Sequence, residues 1–400
     1  MNRPRLMLRP DNMPPLWQPM LFLTTAPIAL LMAVALQISE PVLHGQTWPT
    51  TGRAILHLIT LGVFGTSALG ASIQLFTVVL GIPLRFQTGE LITLWLMWAG
   101  AIALLVLHLY WPQLPTGITG ASMALAVFIY WMWKARSGLR RLVLSAQSGI
   151  RTLPLLLSLM AATGLALLTG EAPLSPHQHA LLGLGILVPS IVFSVGLHVI
   201  PMFYTPGEID TSIAKYWYWM AAISLAAIFV RPNHAAVGMS ILHLWMAGSL
   251  FILLNRRRRR ADTTVRFWQL ALAGQIFTVF AYWAAVWHHL RWRAVIACAL
   301  VGFVLPVIMG MSQRIGAFLT TLHAQRLGMT RPLSMRDVIE EKSQQRVFHY
   351  YVAGVLLLAS SVWRPEVERA ASLVLGLAIL LWLRNLIGIP KVIFQRATKP

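Results

Sequence analysis

Charged residues are scarce in this chain of 400 residues: only 11% are Asp, Glu, Lys or Arg, whereas 57% are hydrophobic. A soluble domain carries about 25% charged residues, so a chain of this composition cannot cover a water-facing surface. The single cysteine, Cys298, excludes an internal disulfide, a cysteine zinc cluster and the CxxCH attachment of a c-type haem. With a mean hydropathy of +0.67, the sequence predicts an integral membrane protein.

Apolar stretches recur along the whole chain, and most are close to the length of about 20 residues with which a helix crosses a bilayer. They predict an all-α fold: a polytopic membrane protein with about 12 transmembrane helices, in which 1–400 is a single transmembrane domain. In the longest connection, Ser334 and Asp337 resemble a helix N-cap, and we expect a short interfacial helix from Met335 to Arg346. The predicted spans are 17–38, 54–81, 91–111, 116–134, 153–169, 179–203, 216–230, 234–254, 267–288, 294–320, 347–363 and 367–389.

Basic residues outnumber acidic ones by 32 to 12, which gives a net charge of +20. In a soluble protein this balance would suggest nucleic acid, but here the basic residues collect in loops on one face of the membrane. With both termini in the cytoplasm, the twelve spans leave only six basic residues on the opposite side: Arg53, Arg231, Arg291, Arg293, Arg364 and Arg369. We therefore predict a bacterial inner membrane protein whose partner is the lipid bilayer, with no role for nucleic acid.

None of the 12 carboxylates falls in the middle of a predicted span. Proton-coupled carriers and proton pumps usually need an acid near the membrane midplane, so this absence weighs against both classes. Arg314 lies inside the tenth span, and we expect its side chain to reach the inner headgroups; the alternative is a buried counter-charge.

Histidine is the ionisable residue that does enter the spans. His57, His179, His198 and His243 are embedded in apolar helix with glycines nearby. Neutral imidazole is a natural ligand for haem iron and also suits copper, and glycine lets a flat macrocycle approach the backbone. Histidine also collects at membrane interfaces because its ring has polar tips, so this alternative stays open.

A second histidine pattern, His288-His289, lies beside Trp287 and Arg291. These imidazoles are candidate metal ligands for copper, or part of a site for haem propionates, because arginine pairs well with carboxylates. The alternative is an aromatic and basic belt at the membrane surface.

Three even-numbered spans look related, and they recur with a period near 120 residues, which corresponds to four spans. The related segments are His57–Gly81, His179–Thr205 and Gly310–Leu327. They predict three four-helix repeats over 17–134, 153–254 and 267–389. In this plan the chain resembles subunit I of the haem-copper oxidase superfamily, and it is similar to the NnrS-type twelve-span membrane proteins that contain haem and copper.

The resemblance implies a haem-binding membrane protein, with copper as a second metal, in respiratory or nitric-oxide-related redox chemistry. It makes His57 and His179 the first choices as iron ligands, makes His243 and His198 the second, and implies a redox partner protein. The chain departs from the oxidase pattern because span 7 has no histidine and span 10 has none before His323. Two alternatives therefore stay open: a permease for a small solute, and a non-catalytic membrane assembly partner. Whether the chain is an enzyme, and its oligomeric state, are left open.

Overall fold

The computed structural model describes residues 13–43, 50–79, 84–112, 115–139, 145–170, 175–205, 212–327 and 333–397. Within these ranges the regular structure is entirely helical, which confirms the predicted all-α class. The described residues form a one-turn helix, Met335–Val338, and twelve long helices, three of which combine consecutive α- and π-helical stretches. The long helices are α1 (Trp17–Ser39), α2 (50–79), α3 (Thr88–Tyr110), α4 (Thr116–Leu139), α5 (Ser145–Thr169), α6 (Pro176–Tyr204), α7 (Ser212–Val230), α8 (Pro232–Asn255), α9 (Thr263–Val286), α10 (Trp292–Arg326), α11 (Glu341–Ser360) and α12 (Val367–Ala397).

Nine helices of the described chain are long and apolar enough to cross a membrane. They are α1, α2, α3, α4, α6, α8, α9, α10 and α12. Shorter apolar segments lie in α5, from Leu156 to Thr169, and in α7, from Ala214 to Val230. The chain is therefore a multi-pass helical membrane protein, as its composition predicts.

The helices group into two compact units. The first unit contains residues 1–111, 262–267 and 305–400, and so holds α1, α2, α3, α11, α12 and the C-terminal part of α10. The second unit contains residues 112–261 and 268–304, and so holds α4 to α8, most of α9 and the N-terminal part of α10.

In the first unit, α12 packs against α11 and α1, α1 packs against α2, and α2 packs against α3. Tryptophan N–H groups join several of these helices. Trp98 Nε1 donates to Thr66 Oγ1 at 2.9 Å, and Trp382 Nε1 donates to Ser312 Oγ at 2.9 Å. Because lipid is as apolar as the helices themselves, polar bonds of this kind contribute to holding membrane helices together.

In the second unit, α7 packs against α8, α4 against α5, and α6 against α5 and α8. Here too an indole bridges two helices, since Trp217 Nε1 donates to Leu242 O at 3.1 Å. Gly274 of α9 and Gly302 of α10 bring two backbones into direct contact. Small residues at such crossings allow close van der Waals packing in a membrane.

Three helices depart from α-helical geometry at corresponding places. α2 is π-helical over Leu58–Gly65, α6 over Leu181–Leu187 and α10 over Cys298–Val304. The fifth residue of each stretch is glycine: Gly62, Gly185 and Gly302. These glycines follow one another at intervals of about 120 residues, close to the period that the sequence predicts. π-Helical turns inside α-helices frequently occur at functional sites.

One local prediction needs correction. The predicted helix from Met335 to Arg346 is interrupted at Ile339 and Glu340, so it is not one continuous helix. Its predicted N-cap is correct, because Ser334 Oγ donates to Asp337 Oδ2 at 2.7 Å within the capping box at the start of Met335–Val338. The residues from Glu341 onward belong to the long helix α11.

Arg314 pairs with an acidic side chain. Its Nη1 lies 2.6 Å from Asp262 Oδ2, and both side chains are largely buried, at 15% and 12% exposure. This pairing agrees with the alternative of a buried counter-charge, because pairing a charge offsets the cost of burying it. The path of the side chain to the headgroups stays a prediction.

Candidate functional site

His57 lies in the first unit, at the junction where α2 passes from α-helix to π-helix. Its Nδ1–H donates to Arg53 O at 2.8 Å. A neutral imidazole carries one N–H, so this hydrogen bond leaves Nε2 with the lone pair. The side chain is partly buried. This tautomer is the one in which Nε2 can bind a metal, since metal-bound histidines usually donate their other N–H to an oxygen acceptor.

His179 lies in the second unit, in the first turn of α6, and its ring rests against α5. The Thr163 hydroxyl donates to Met160 O at 2.9 Å, so Thr163 Oγ1 accepts from His179 Nδ1–H at 3.0 Å. A Cβ at Gly164 would lie 3.3 Å from His179 Cε1, so the absence of a side chain there makes room for the ring. The lone pair is again on Nε2.

His198 lies near the C-terminal end of the same helix, and only 3% of it is exposed. Its Nδ1–H donates to Ser194 O at 2.7 Å, which places the lone pair on Nε2 as in the other two histidines. The 19 residues between His179 and His198 correspond to about 28 Å along a helix, too far for both to bind one iron. They are therefore two separate candidate positions.

His243 of α8 has a different arrangement. Its Nε2–H donates to Gly185 O of α6 at 2.9 Å, and its Nδ1 accepts from Gln275 Nε2 of α9. Pro189 has no N–H to donate to the Gly185 carbonyl four residues earlier, so His243 supplies a donor that the helix itself lacks. With both nitrogens bonded to protein, His243 bridges three helices and leaves no nitrogen for iron.

The glycines expected to admit a macrocycle are covered by neighbouring helices. A Cβ at Gly62 would lie 2.7 Å from Ala29 Cβ, and one at Gly65 would lie 2.7 Å from the Trp98 ring. In the second unit, Gly183 lies against Met160, and Gly185 lies against Met239. These glycines therefore serve close helix packing, and they do not form an open cradle for haem.

His288 and His289 follow the last turn of α9 and are both exposed. His288 has a φ of 61°, and its N–H donates to Ala285 O at 3.1 Å. A left-handed residue just after a helix is a common way to end it, so the geometry of His288 has a local explanation. Across the part of the chain that the structure describes, no three His, Cys, Asp or Glu side chains come together as a metal site.

Several buried polar groups in the first unit are not predicted by any pattern in the sequence. Glu368 of α12 is fully buried, and its Oε1 accepts from Gln37 and from the backbone N–H groups of Val42 and Leu43. Gln74 of α2 is 3% exposed, and neither atom of its amide has a hydrogen-bond partner among the residues that the structure describes. A buried amide without partners is costly, so Gln74 is a candidate contact for a polar ligand or for water.

The donor chemistry therefore fits haem at His57, His179 and His198, and it does not fit at His243. Comparison of the chain with protein-family models and with curated proteins finds no match. The distances and hydrogen bonds above are thus the basis for any functional assignment.

Proposed function

We propose that this chain is a multi-pass membrane protein that binds haem through histidines, with His57 as a ligand in the first unit and His179 as a ligand in the second. His198 is a further ligand position in the second unit, and His243 is withdrawn from the ligand set. The supporting observation is that Nδ1 of all three remaining imidazoles lies within hydrogen-bond distance of an oxygen, which favours the tautomer with the lone pair on Nε2. When bound, haem would supply one-electron chemistry or a site for nitric oxide.

The plan of the chain forms part of the same proposal. Twelve spans, both termini in the cytoplasm of a bacterium and three four-helix repeats together account for the basic loops and for the related helices α2, α6 and α10. The π-helical stretches at Gly62, Gly185 and Gly302 support the repeats. In α6 and α10 a proline also follows four residues after the glycine, at Pro189 and Pro306. Copper at His288 and His289, and a redox partner protein, stay predictions.

Optical spectra test the haem proposal. We expect detergent-purified protein, expressed with added haem, to show a Soret band that shifts when dithionite reduces the sample. Single changes His57→Ala and His179→Ala should each lower the haem content or change the reduced spectrum, because each removes an iron ligand.

His234→Ala is the matched control, since His234 is exposed at the start of α8 and has no place in the ligand set. It should leave the spectrum unchanged. A spectrum without a Soret band in the wild-type protein, together with no iron in metal analysis, would contradict the proposal.

Gln74 favours a second function, a permease for a small neutral solute. A solute with a donor and an acceptor would satisfy both atoms of this unpartnered amide. Proteoliposome swelling with glycerol or urea tests this function, and Gln74→Leu should slow the swelling. Swelling that survives replacement of His57, His179, His198 and His243 by alanine would favour the permease over the haem protein.

A further inference from the structure

A line of polar side chains runs along the buried face of α6. Ser190, Ser194 and His198 follow one another at intervals of four residues, so they lie on one side of the helix. Their exposed fractions are 1%, 0% and 3%. We call these three residues the α6 stripe. It extends over about 12 Å of the helix axis at 1.5 Å per residue.

Neighbouring helices add polar groups to the stripe. Ser194 Oγ donates to Ser190 O at 2.5 Å, so it accepts from the hydroxyl of Tyr218 on α7 at 2.7 Å. Beyond the N-terminal end of the stripe lies the Gly185 carbonyl, which His243 and Gln275 bridge to α8 and α9. All of these residues belong to the second unit.

Some of these polar atoms lack partners. Within the described ranges, Ser190 Oγ and Gln275 Oε1 are buried without a hydrogen bond, although a serine in a helix can usually donate to its own backbone. Within the described chain, His198 Nε2 also has no hydrogen bond. An unsatisfied buried polar atom costs about 1–3 kcal/mol, and a buried water typically satisfies such groups with about three hydrogen bonds.

We propose that the α6 stripe binds a file of water molecules between His198 and Ser190. Water bridges the side chains because residues one helical turn apart are too far for direct contact between two short hydroxyl groups. Such a file supplies proton-exchanging groups, namely hydroxyls, water and one imidazole, in a chain with no carboxylate in the middle of its predicted spans. The proposal assigns Nε2 of His198 to water and not to iron, so the stripe and a haem ligand at His198 exclude each other; His57 and His179 lie outside the stripe.

Cysteine accessibility tests the file. In a Cys298→Ala background, which removes the only native thiol, Ser190→Cys and Ser194→Cys each place one thiol on the stripe. Silver ions in chloride-free buffer are small enough to follow a narrow water path, and they bind the thiolate, which forms only where water can solvate it. After the silver treatment, the protein is unfolded in SDS and treated with a fluorescent maleimide. Thiols that have bound silver are not labelled, so the loss of fluorescence measures the rate of the silver reaction.

Val192→Cys is the matched control, because Val192 lies on the same helix, away from the stripe, and is also 3% exposed. We expect silver to protect the thiols at 190 and 194 at least tenfold faster than the thiol at 192. Equal rates at all three positions would show that silver reaches the stripe no better than the opposite face of the helix, and this result would overturn the proposal. The outcome is independent of the haem spectrum, since no proposed iron ligand is changed.

Discussion

Replacing Gly274 by alanine perturbs the contact between α9 and α10 in the second unit. A Cβ at Gly274 would lie 2.7 Å from the Cα of Gly302 and closer still to the Gly302 carbonyl. Ordinary contacts of a Cβ begin near 3.4 Å. The obstacle is backbone, which cannot rotate away as a side chain can, so the two helices must separate by on the order of 1 Å or more.

The expected cost follows from this geometry. Overpacking a well-packed core typically costs about 1–3 kcal/mol, and a backbone obstacle favours the upper end of this range. Alanine is the better helix former by about 1 kcal/mol, which offsets part of the loss. We therefore expect Gly274→Ala to lower the free energy of unfolding by about 2 kcal/mol.

Unfolding of the purified protein in detergent, followed by circular dichroism as SDS is added, measures the effect. Gly248→Ala is the matched control, because a Cβ at Gly248 of α8 would meet nothing within 4 Å. This control should be neutral or stabilising by up to about 1 kcal/mol. If Gly274→Ala unfolds at the same SDS fraction as Gly248→Ala, the close packing of α9 on α10 is refuted.

The buried polar bridges give two further predictions. His243→Leu should destabilise the protein by about 1–3 kcal/mol because it removes the donor to the α6 carbonyl. A double-mutant cycle with Gln275→Leu should then show a coupling of about 0.6–1.7 kcal/mol in SDS unfolding, and a coupling of zero would contradict the bridge. Arg314→Gln should cost about 3 kcal/mol by leaving the Asp262 carboxylate buried without its partner. Adding Asp262→Asn should restore part of that loss in thermal unfolding; a further loss of the same size would show that the pair does not interact.

Composition and hydrophobic runs were sufficient to predict the helical membrane fold, because a bilayer accepts few other structures. The long helices begin and end within a few residues of most predicted spans, with larger differences at the starts of α5 and α11 and at the ends of α10 and α12. The predicted span starts at 347 because Glu341 and Lys342 are charged and so fall outside the apolar segment. The helix itself begins at Glu341, since a helix can extend beyond the apolar segment that crosses the membrane.

The bonding partners of single side chains could not be read from the sequence. His243 and His198 both lie within apolar sequence. In the structure, however, His243 binds two neighbouring helices, whereas His198 binds the backbone of its own helix. Pro189 was the available signal, since it leaves the Gly185 carbonyl without a backbone donor four residues along. Arg314 and Asp262 are far apart in sequence, so their pairing depends on helix packing that no local pattern contains.

The haem content of the purified protein tests the central claim most directly. One sample should be measured by absorption spectroscopy, oxidised and dithionite-reduced, and by metal analysis. We predict a Soret band that shifts on reduction, with iron bound, and a loss of haem or an altered reduced spectrum in His57→Ala and His179→Ala. A featureless spectrum without iron, even after expression with added haem, would contradict the claim and leave the histidines as packing and interface residues.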